Sequence, residues 1–114
     1  MSTTIFEKIA AREIPANIVY EDEQVVAFRD INPQAPLHAL IVPRQPLARI
    51  AEARPEDEAM LGHLLFKAAL VARQLGLETG GYRLVINNGT FGGETVPHLH
   101  IHILGGRQMN WPPG

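Results

Sequence analysis

The stretch His98-Leu99-His100-Ile101-His102-Ile103-Leu104 alternates a histidine with an aliphatic residue through three full cycles. Successive side chains of a β-strand point to opposite faces of its sheet. The stretch therefore predicts a strand, over residues 96–104, that buries Leu99, Ile101 and Ile103 and presents three imidazoles on its other face. Three titratable side chains in register are difficult to explain as structure alone, so this strand is the candidate functional site.

Metal binding is one interpretation of the histidine strand, since two histidines separated by one residue form a common zinc pair. Alternate residues lie roughly 6.6 Å apart, so His98 and His102 are separated by roughly 13 Å along the strand. An ion about 2.1 Å from each nitrogen can take two of the imidazoles, and all three only if the strand bends. His38, Asp30 and Glu94 are further candidate ligands, and metal binding stays open as the second interpretation.

Nucleophilic catalysis by the central histidine explains the strand better. A neutral imidazole is a nucleophile at pH 7, and it attacks through one ring nitrogen while the other donates its proton to a fixed acceptor such as a backbone carbonyl. The flanking histidines can then bind anionic oxygens or protonate a leaving group. The glycine-bearing loop at residues 89–93 offers backbone N–H groups to phosphate oxygens, which favours a phosphorus centre over an acyl centre.

The composition narrows the class of protein. The chain has 114 residues, no cysteine and a net charge of −2, which fits one globular domain without disulfides or thiolate metal sites. A protein that coats nucleic acid would be basic, so binding to nucleic acid is not expected. The N-terminal residues do not have the pattern of a signal peptide, and the most apolar segment, residues 61–75, is interrupted by His63, Lys67 and Arg73. The expectation is a cytoplasmic protein without a membrane span.

The remaining patterns indicate an α+β fold with an antiparallel sheet. A short helix is expected at residues 5–12 behind a threonine cap, and strands are expected at residues 17–20, 25–28, 38–42 and 82–87 in addition to the histidine strand. A long helix is expected between the third and fourth strands, with Pro55 at its first position and Gly76 at its end. Segregated helices and hairpin-like strands are typical of this class.

The long helix is apolar over most of its circumference. The stripe expected to face the sheet consists of Leu61, Leu64, Leu65, Ala68, Ala72 and Leu75. A second stripe beside it consists of Ala59, Gly62, Phe66 and Ala69. A helix of this kind is covered on two sides, so we expect the second stripe to pack against another copy of the chain.

The chain resembles the histidine triad (HIT) superfamily, and within it the Hint branch. The superfamily signature His-φ-His-φ-His-φ-φ, in which φ is apolar, is matched at residues 98–104. The segments similar to the Hint branch are Phe28-Arg29-Asp30-Ile31-Asn32-Pro33-Gln34-Ala35-Pro36, His38 with Ile41-Val42-Pro43, Leu61-Gly62-His63-Leu64, Asn87 with its glycine loop, and Gly105-Gly106-Arg107-Gln108-Met109-Asn110-Trp111-Pro112-Pro113-Gly114. The resemblance covers the chain from Ile5 onward.

The resemblance implies a fold and an activity. The fold would be a single HIT domain over residues 1–114, with a five-stranded antiparallel sheet, one short N-terminal helix, one long helix, and a homodimer whose two sheets join. The activity would be hydrolysis of the P–N bond of purine nucleoside 5′-phosphoramidates, and of aminoacyl-adenylates, with AMP or GMP derivatives as substrates and no cofactor. The alternatives are a dinucleoside polyphosphate hydrolase of the same superfamily and a metal-dependent hydrolase that uses the histidine cluster.

The resemblance also assigns roles by position. His100 would be the nucleophile, forming a nucleotidyl-histidine that water then hydrolyses. The other catalytic residues would be His102 and Thr95 on the leaving-group side, with His98 and His38 in the supporting hydrogen-bond network. The nucleotide-binding set would be Phe28, Asp30, Ile31, Asn87, Gly93, Thr95, Val96, His98, His100 and His102, with Asp30 at the ribose and Phe28 and Ile31 at the base. Trp111, in the tail at residues 105–114, would reach the partner's pocket.

Three positions depart from the pattern of the family. Thr95 stands where serine is more frequent, Pro97 replaces a residue that is commonly aromatic, and Asn110 replaces a histidine of the close eukaryotic relatives. The last change leaves the leaving-group preference open. His102 is retained where the uridylyltransferase branch carries glutamine, which favours hydrolysis over transfer.

Overall fold

The computed structural model describes residues 3–114; Met1 and Ser2, which the predicted domain includes, lie outside the described residues. The elements are α1 (Ile5–Ala10), β1 (Ile18–Glu21), β2 (Val25–Arg29), β3 (Leu37–Pro43), α2 (Glu58–Gln74), β4 (Tyr82–Val85) and β5 (Ile101–Gly105). Two 3-10 turns, Ile50–Glu52 and Pro55–Asp57, precede α2. The α+β class, with a short helix, a long helix and five strands, is confirmed.

The five strands form one antiparallel sheet in the order β1-β2-β3-β5-β4. Strand β3 is central and pairs with β5, so that His38 lies opposite Leu104 and Leu40 lies opposite His102. His38 and His102 are therefore diagonal neighbours on one face, a spacing that aromatic side chains can bridge. The sheet register thus brings together two histidines that are 64 residues apart in the sequence.

Each face of the sheet is covered by one helix. The core under α2 consists of Val25, Ala27, Ala39, Ile41, Leu47, Met60, Leu64, Ala68, Val71, Ala72, Leu77, Leu99, Ile101 and Ile103. The core under α1 consists of Phe6, Ile9, Ala10, Val26, Phe28, Leu40 and Val42. Alternation along the strands separates the two sets. The predicted burial of Leu99, Ile101 and Ile103 is confirmed, and the opposite face of β5 carries His102 toward α1.

The histidine strand is shorter than the predicted span of residues 96–104. Strand β5 begins at Ile101, because the preceding backbone is bonded elsewhere. Pro97 has no N–H to donate, the N–H of His98 donates to the Val96 carbonyl at 2.9 Å, and the N–H of Leu99 donates to the Leu47 carbonyl at 2.7 Å. His98 and His100 therefore lie in an irregular segment that leads into the sheet.

Helix α2 differs in two respects from the prediction. Pro55 begins a 3-10 turn instead of the α-helix, and Leu65, expected to face the sheet, is 53% exposed. The buried face of α2 consists of Met60, Leu64, Ala68, Val71 and Ala72. Leu65 lies beside this face, toward solvent. Gly76 ends the helix with a φ of +79°, as predicted. Within residues 3–114, no helix is long and apolar enough to cross a membrane.

Strand β4 also ends early, at Val85 instead of residue 87. The chain turns away from the sheet there, and the side chain of Asn88 accepts a hydrogen bond from the N–H of Ala51 at 2.8 Å. The glycine loop is thereby attached to the segment that precedes α2.

Candidate active site

A cleft on the α1 side of the sheet contains most of the predicted functional side chains. It lies between α1 with the segment that follows it, the end of β2, the middle of β3, and the histidine segment. Its lining consists of Ile5, Phe6, Ile9, Ile14, Pro15, Ala16, Phe28, Arg29, Asp30, Ile31, Leu40, Thr95, Val96, His100 and His102. The lining combines aliphatic and aromatic side chains with two imidazoles, a hydroxyl, a carboxylate and the guanidinium of Arg29.

The aliphatic wall of the cleft comes from α1, which the sequence predicted only as a short helix. Thr4 caps it: its side chain accepts a hydrogen bond from the Glu7 N–H, and the Glu7 side chain accepts one from the Thr4 N–H. The wall residues Ile5, Phe6 and Ile9 were not predicted as site residues. The apolar pair Ile5 and Ile9, one turn apart, was the available signal, but it does not say which surface the helix covers.

His100 is oriented by the backbone. Its Nδ1 lies 2.7 Å from the carbonyl oxygen of His98; because a carbonyl only accepts, Nδ1 carries the proton and Nε2 keeps its lone pair. The ring is 4% exposed and packs edge-on against Phe6, with 4.9 Å between centroids. Burial lowers the pKa of His100, against the opposing effect of the His98 carbonyl. The ring is therefore neutral at pH 7 with a free nitrogen, which is the state a nucleophile needs.

His102 lies beside His100, with 4.9 Å between ring centroids. Its Nδ1 is 2.9 Å from Nε2 of His38, which is itself 3.4 Å from Oδ2 of Asp30. Burial, and then the neighbouring His100 and His38, lower the pKa of His102 to about 4. Burial also lowers the pKa of His38, against the opposing charge of Asp30. This end of the cleft thus holds a chain of neutral imidazoles.

The side chain of His98 does not line the cleft beside the other two imidazoles, although the alternating pattern predicts that it does. It is 1% exposed, its Nε2 donates to the Pro43 carbonyl at 2.7 Å, and its Nδ1 lies 3.4 Å from the hydroxyl of Thr4. Its side chain is not part of the cleft lining. His98 contacts the site through its carbonyl, which accepts the hydrogen bond from Nδ1 of His100.

The glycine loop is held by an ion pair. Arg49 donates to both carboxylate oxygens of Glu94 at 2.9 Å, and the Gly89 N–H donates to the same carboxylate at 2.9 Å. The Arg49 hydrogen bonds, and then the Gly89 N–H, lower the pKa of Glu94 to about 2. Glu94 directly precedes Thr95, so this pair sets where the loop enters the cleft. A Cβ at Gly92 would lie 2.5 Å from the Asn88 carbonyl oxygen, so only glycine fits there.

Besides His38 and His98, three predicted site residues lie outside the cleft lining. Gly93 is exposed, Asn87 is half-buried, and Trp111 is 82% exposed. The structure brings together Phe28, Asp30, Ile31, Thr95, Val96, His100 and His102 in the lining, with His38 directly behind His102.

The set of side chains that could hold a metal ion differs from the three motif histidines. Asp30, His38 and His102 bring candidate ligand atoms within 4.8 Å of one another. His98 has turned away, and Glu94 is paired with Arg49. The 2.9 Å separation of the His38 and His102 nitrogens is a hydrogen-bond distance, so an ion bound there would replace the shared proton.

The architecture is an antiparallel sheet with a helix on each face and an imidazole-lined cleft. This architecture, with the His-φ-His-φ-His sequence, is typical of histidine triad proteins. The HIT domain model matches residues 11–109, and the chain belongs to the HIT family. It is 60% identical over 111 residues to an uncharacterised HIT-like protein of Synechococcus elongatus, covering 97% of this chain and 96% of that protein. It is 57% identical over 115 residues to the 14 kDa zinc-binding protein of Zea mays, covering 99% and 89%.

The fold is that of a HIT family hydrolase from Legionella pneumophila. The two structures superpose with a TM-score of 0.95 and share 49% identity, covering 98% of this chain and 100% of that one. The expected superfamily and fold are therefore confirmed.

Proposed function

We propose that this protein hydrolyses the P–N bond of purine nucleoside 5′-phosphoramidates, and cleaves aminoacyl-adenylates, through a nucleotide bound covalently to His100. The observation that carries the proposal is the 2.7 Å contact between Nδ1 of His100 and the His98 carbonyl. This contact places the ring proton on Nδ1, so Nε2 has a free lone pair on a ring that lines the cleft.

The reaction has two displacement steps. In the first, the Nε2 lone pair of His100 attacks phosphorus, the P–N bond breaks, and its electron pair leaves with the nitrogen, which takes up a proton from solvent. In the second, water attacks phosphorus, the P–Nε2 bond breaks, its electron pair returns to the ring, and a proton is released. His102 and Thr95 line the cleft beside His100 and serve the leaving-group side by hydrogen bonding.

The nucleoside occupies the rest of the cleft. Asp30 lies at the end of β2 and binds the ribose hydroxyls, while the base lies against Phe28 and Ile31 and the α1 wall. Asn87, Gly93 and the backbone near His98 serve the phosphate. These contacts with the base are apolar, so they accept adenine and guanine alike. The net charge of −2 is compatible with a mononucleotide, since imidazoles and N–H groups hold one phosphate without a basic surface.

A fluorogenic adenosine phosphoramidate tests this function. Wild type should release the fluorophore, and His100→Ala should abolish turnover while keeping affinity for AMP. Denaturing the wild type during turnover without acid should trap nucleotide on His100. Absence of turnover on any phosphoramidate, with AMP binding intact, would leave a nucleotide sensor instead of an enzyme.

Two alternatives are separated by the same assay. Turnover of a dinucleoside polyphosphate in preference to the phosphoramidate would place the protein in that branch of the superfamily. The grouping of Asp30, His38 and His102 favours a metal-dependent hydrolase as the second candidate, and the maize relative is named for zinc binding. Exhaustive chelation should leave the proposed enzyme fully active and would inactivate a metal-dependent one.

The proposal includes a homodimer in the cytoplasm. Phe66 and Leu65 on α2 are 67% and 53% exposed, Ile86 beyond the outer strand β4 is 42% exposed, and Trp111 in the tail is 82% exposed. A second copy covering α2 and the β4 edge would bury these side chains and bring Trp111 to the partner's cleft. Sedimentation of wild type and Phe66→Asp tests this: a monomeric wild type contradicts the dimer.

A further inference from the structure

The backbone of Gln34 lies between a buried histidine and an arginine of the C-terminal segment. Its N–H donates to Nδ1 of His38 at 3.0 Å, and its carbonyl accepts from Arg107 at 3.1 Å. Gln34 is exposed and does not line the cleft. Its backbone nevertheless touches the ring that stands directly behind His102.

This contact decides where the protons of two histidines are. A backbone N–H can only donate, so Nδ1 of His38 is without a proton and the neutral ring carries its proton on Nε2. This Nε2 is 2.9 Å from Nδ1 of His102 and 3.4 Å from the Asp30 carboxylate, so its proton is donated to His102. Nδ1 of His102 is then an acceptor, and the His102 proton is on Nε2.

We propose that the backbone N–H of Gln34 is a positioning element that fixes the tautomers of His38 and His102, and that Arg107 holds the Gln34 backbone in place through its carbonyl. Its role in catalysis rests on the hydrolysis proposed above. Phosphate oxygens and a departing nitrogen accept hydrogen bonds, so His102 must present an N–H to them and not a lone pair. Arg107 and Gln34 act through His38 and do not touch the substrate.

The two cleft histidines therefore have opposite tautomers, each set by a backbone group. A carbonyl oxygen, that of His98, places the proton of His100 on Nδ1 and leaves Nε2 to attack. An amide N–H, that of Gln34, acts through His38 to place the proton of His102 on Nε2. One ring thus offers a lone pair and its neighbour offers a donor.

The loop that carries Gln34 is held on both sides. The N–H of Asn32 donates to Asp30 at 2.9 Å at its start. At its end, Gly106 packs so closely that a Cβ there would lie 2.9 Å from Cβ of Pro36, and Gly106 has a φ of +92°. The segment that leaves β5 therefore closes over this loop, and Arg107 completes the contact through the Gln34 carbonyl.

NMR of the 15N-labelled wild type at pH 7 tests the tautomers without any substrate. We expect ring shifts of a bare nitrogen for Nδ1 of His38 and of His102, and of a protonated nitrogen for Nδ1 of His100. We also expect a scalar coupling across the hydrogen bond between the Gln34 amide nitrogen and Nδ1 of His38. A protonated Nδ1 on His38 or His102 would overturn the proposal.

Two variants test the catalytic consequence. Gln34→Pro removes the backbone donor and should reduce kcat roughly five- to tenfold with little change in KM, as expected for the loss of one hydrogen bond. Gln34→Ala loses the same side chain but keeps the donor, and should keep the wild-type tautomers. Arg107→Ala should reduce kcat roughly two- to fivefold and broaden the His38 signals. Arg73→Ala, which removes an exposed arginine paired with Glu78, should do neither.

The two proposals fail in different ways. If the wild type hydrolyses no phosphoramidate, the proposed function fails, while the ring nitrogen shifts still decide the tautomers. If the wild type is active but Arg107→Ala and Gln34→Pro, both folded by circular dichroism, keep full kcat, the positioning role is refuted and the activity stands.

Discussion

Lowering the pH from 8 to 5 should destabilise the wild-type protein more than a His102→Asn variant. In the folded protein the pKa of His102 is lowered to about 4 from an ordinary value of 6.5. Between these two values the unfolded chain binds the proton and the folded protein does not, so the free energy of unfolding falls as the pH falls. Asparagine does not titrate there, and its carbonyl can still accept the hydrogen bond from His38.

The magnitude follows from the two pKa values. At pH 5 the unfolded imidazole is almost fully protonated and the folded one only slightly, which costs roughly 2 kcal/mol of stability relative to pH 8; the limit below pH 4 is roughly 3 kcal/mol. A domain of this size has about 5–15 kcal/mol in total, so the loss is large enough to measure.

Urea denaturation of both proteins at pH 8, 6.5 and 5 provides the assay. The other titrating groups are common to both proteins, so the difference between the two pH slopes gives the contribution of His102 together with its coupling to His38 and His100. Equal losses of unfolding free energy in the two proteins would show that His102 is not kept neutral by burial. A direct NMR titration of its ring would then give an ordinary midpoint.

Three further predictions concern the framework around the cleft. Gly92→Ala should destabilise the protein by roughly 1–3 kcal/mol because its methyl group meets backbone; Gly80→Ala, which meets open space, should leave the thermal midpoint near the wild-type value. Thr4→Val should cost about 1 kcal/mol in urea denaturation by removing the cap of α1, and Thr4→Ser should restore it. Glu94→Ala should lower kcat/KM by roughly tenfold or more, because it releases the loop that leads into the cleft. Arg49→Ala should cause the same loss, and a double variant that adds the two losses would contradict a shared role.

The burial of alternate residues in the histidine strand could be predicted from the sequence, because it depends only on the local pattern of polar and apolar residues. Leu99, Ile101 and Ile103 were therefore placed correctly in the core. The chemistry at His100 could also be anticipated, since its carbonyl acceptor is only two residues away in the chain.

The path of the histidine segment and the arrangement of the cleft depend on contacts between residues far apart in the sequence, which no local pattern encodes. Residues 96–100 lie outside the sheet because the Leu99 N–H donates to the carbonyl of Leu47, 52 residues earlier in the chain. The meeting of His38 with His102 depends on the register of β3 with β5. The docking of Phe6 against His100 is a tertiary contact of a six-residue helix that has little stability by itself.

The cleft and the hydrophobic core share side chains. Phe6, Phe28 and Leu40 belong to the core under α1 and also line the cleft. A mutation that reshapes the cleft at these three residues must therefore also weaken the protein, whereas Ile31 and Ile5, which are 96% and 48% exposed, contribute little to the core. Changes in base preference, in nature or by design, should therefore accumulate at these exposed positions and not at the shared core residues. Related chains would then keep similar thermal stability while their base preference changes.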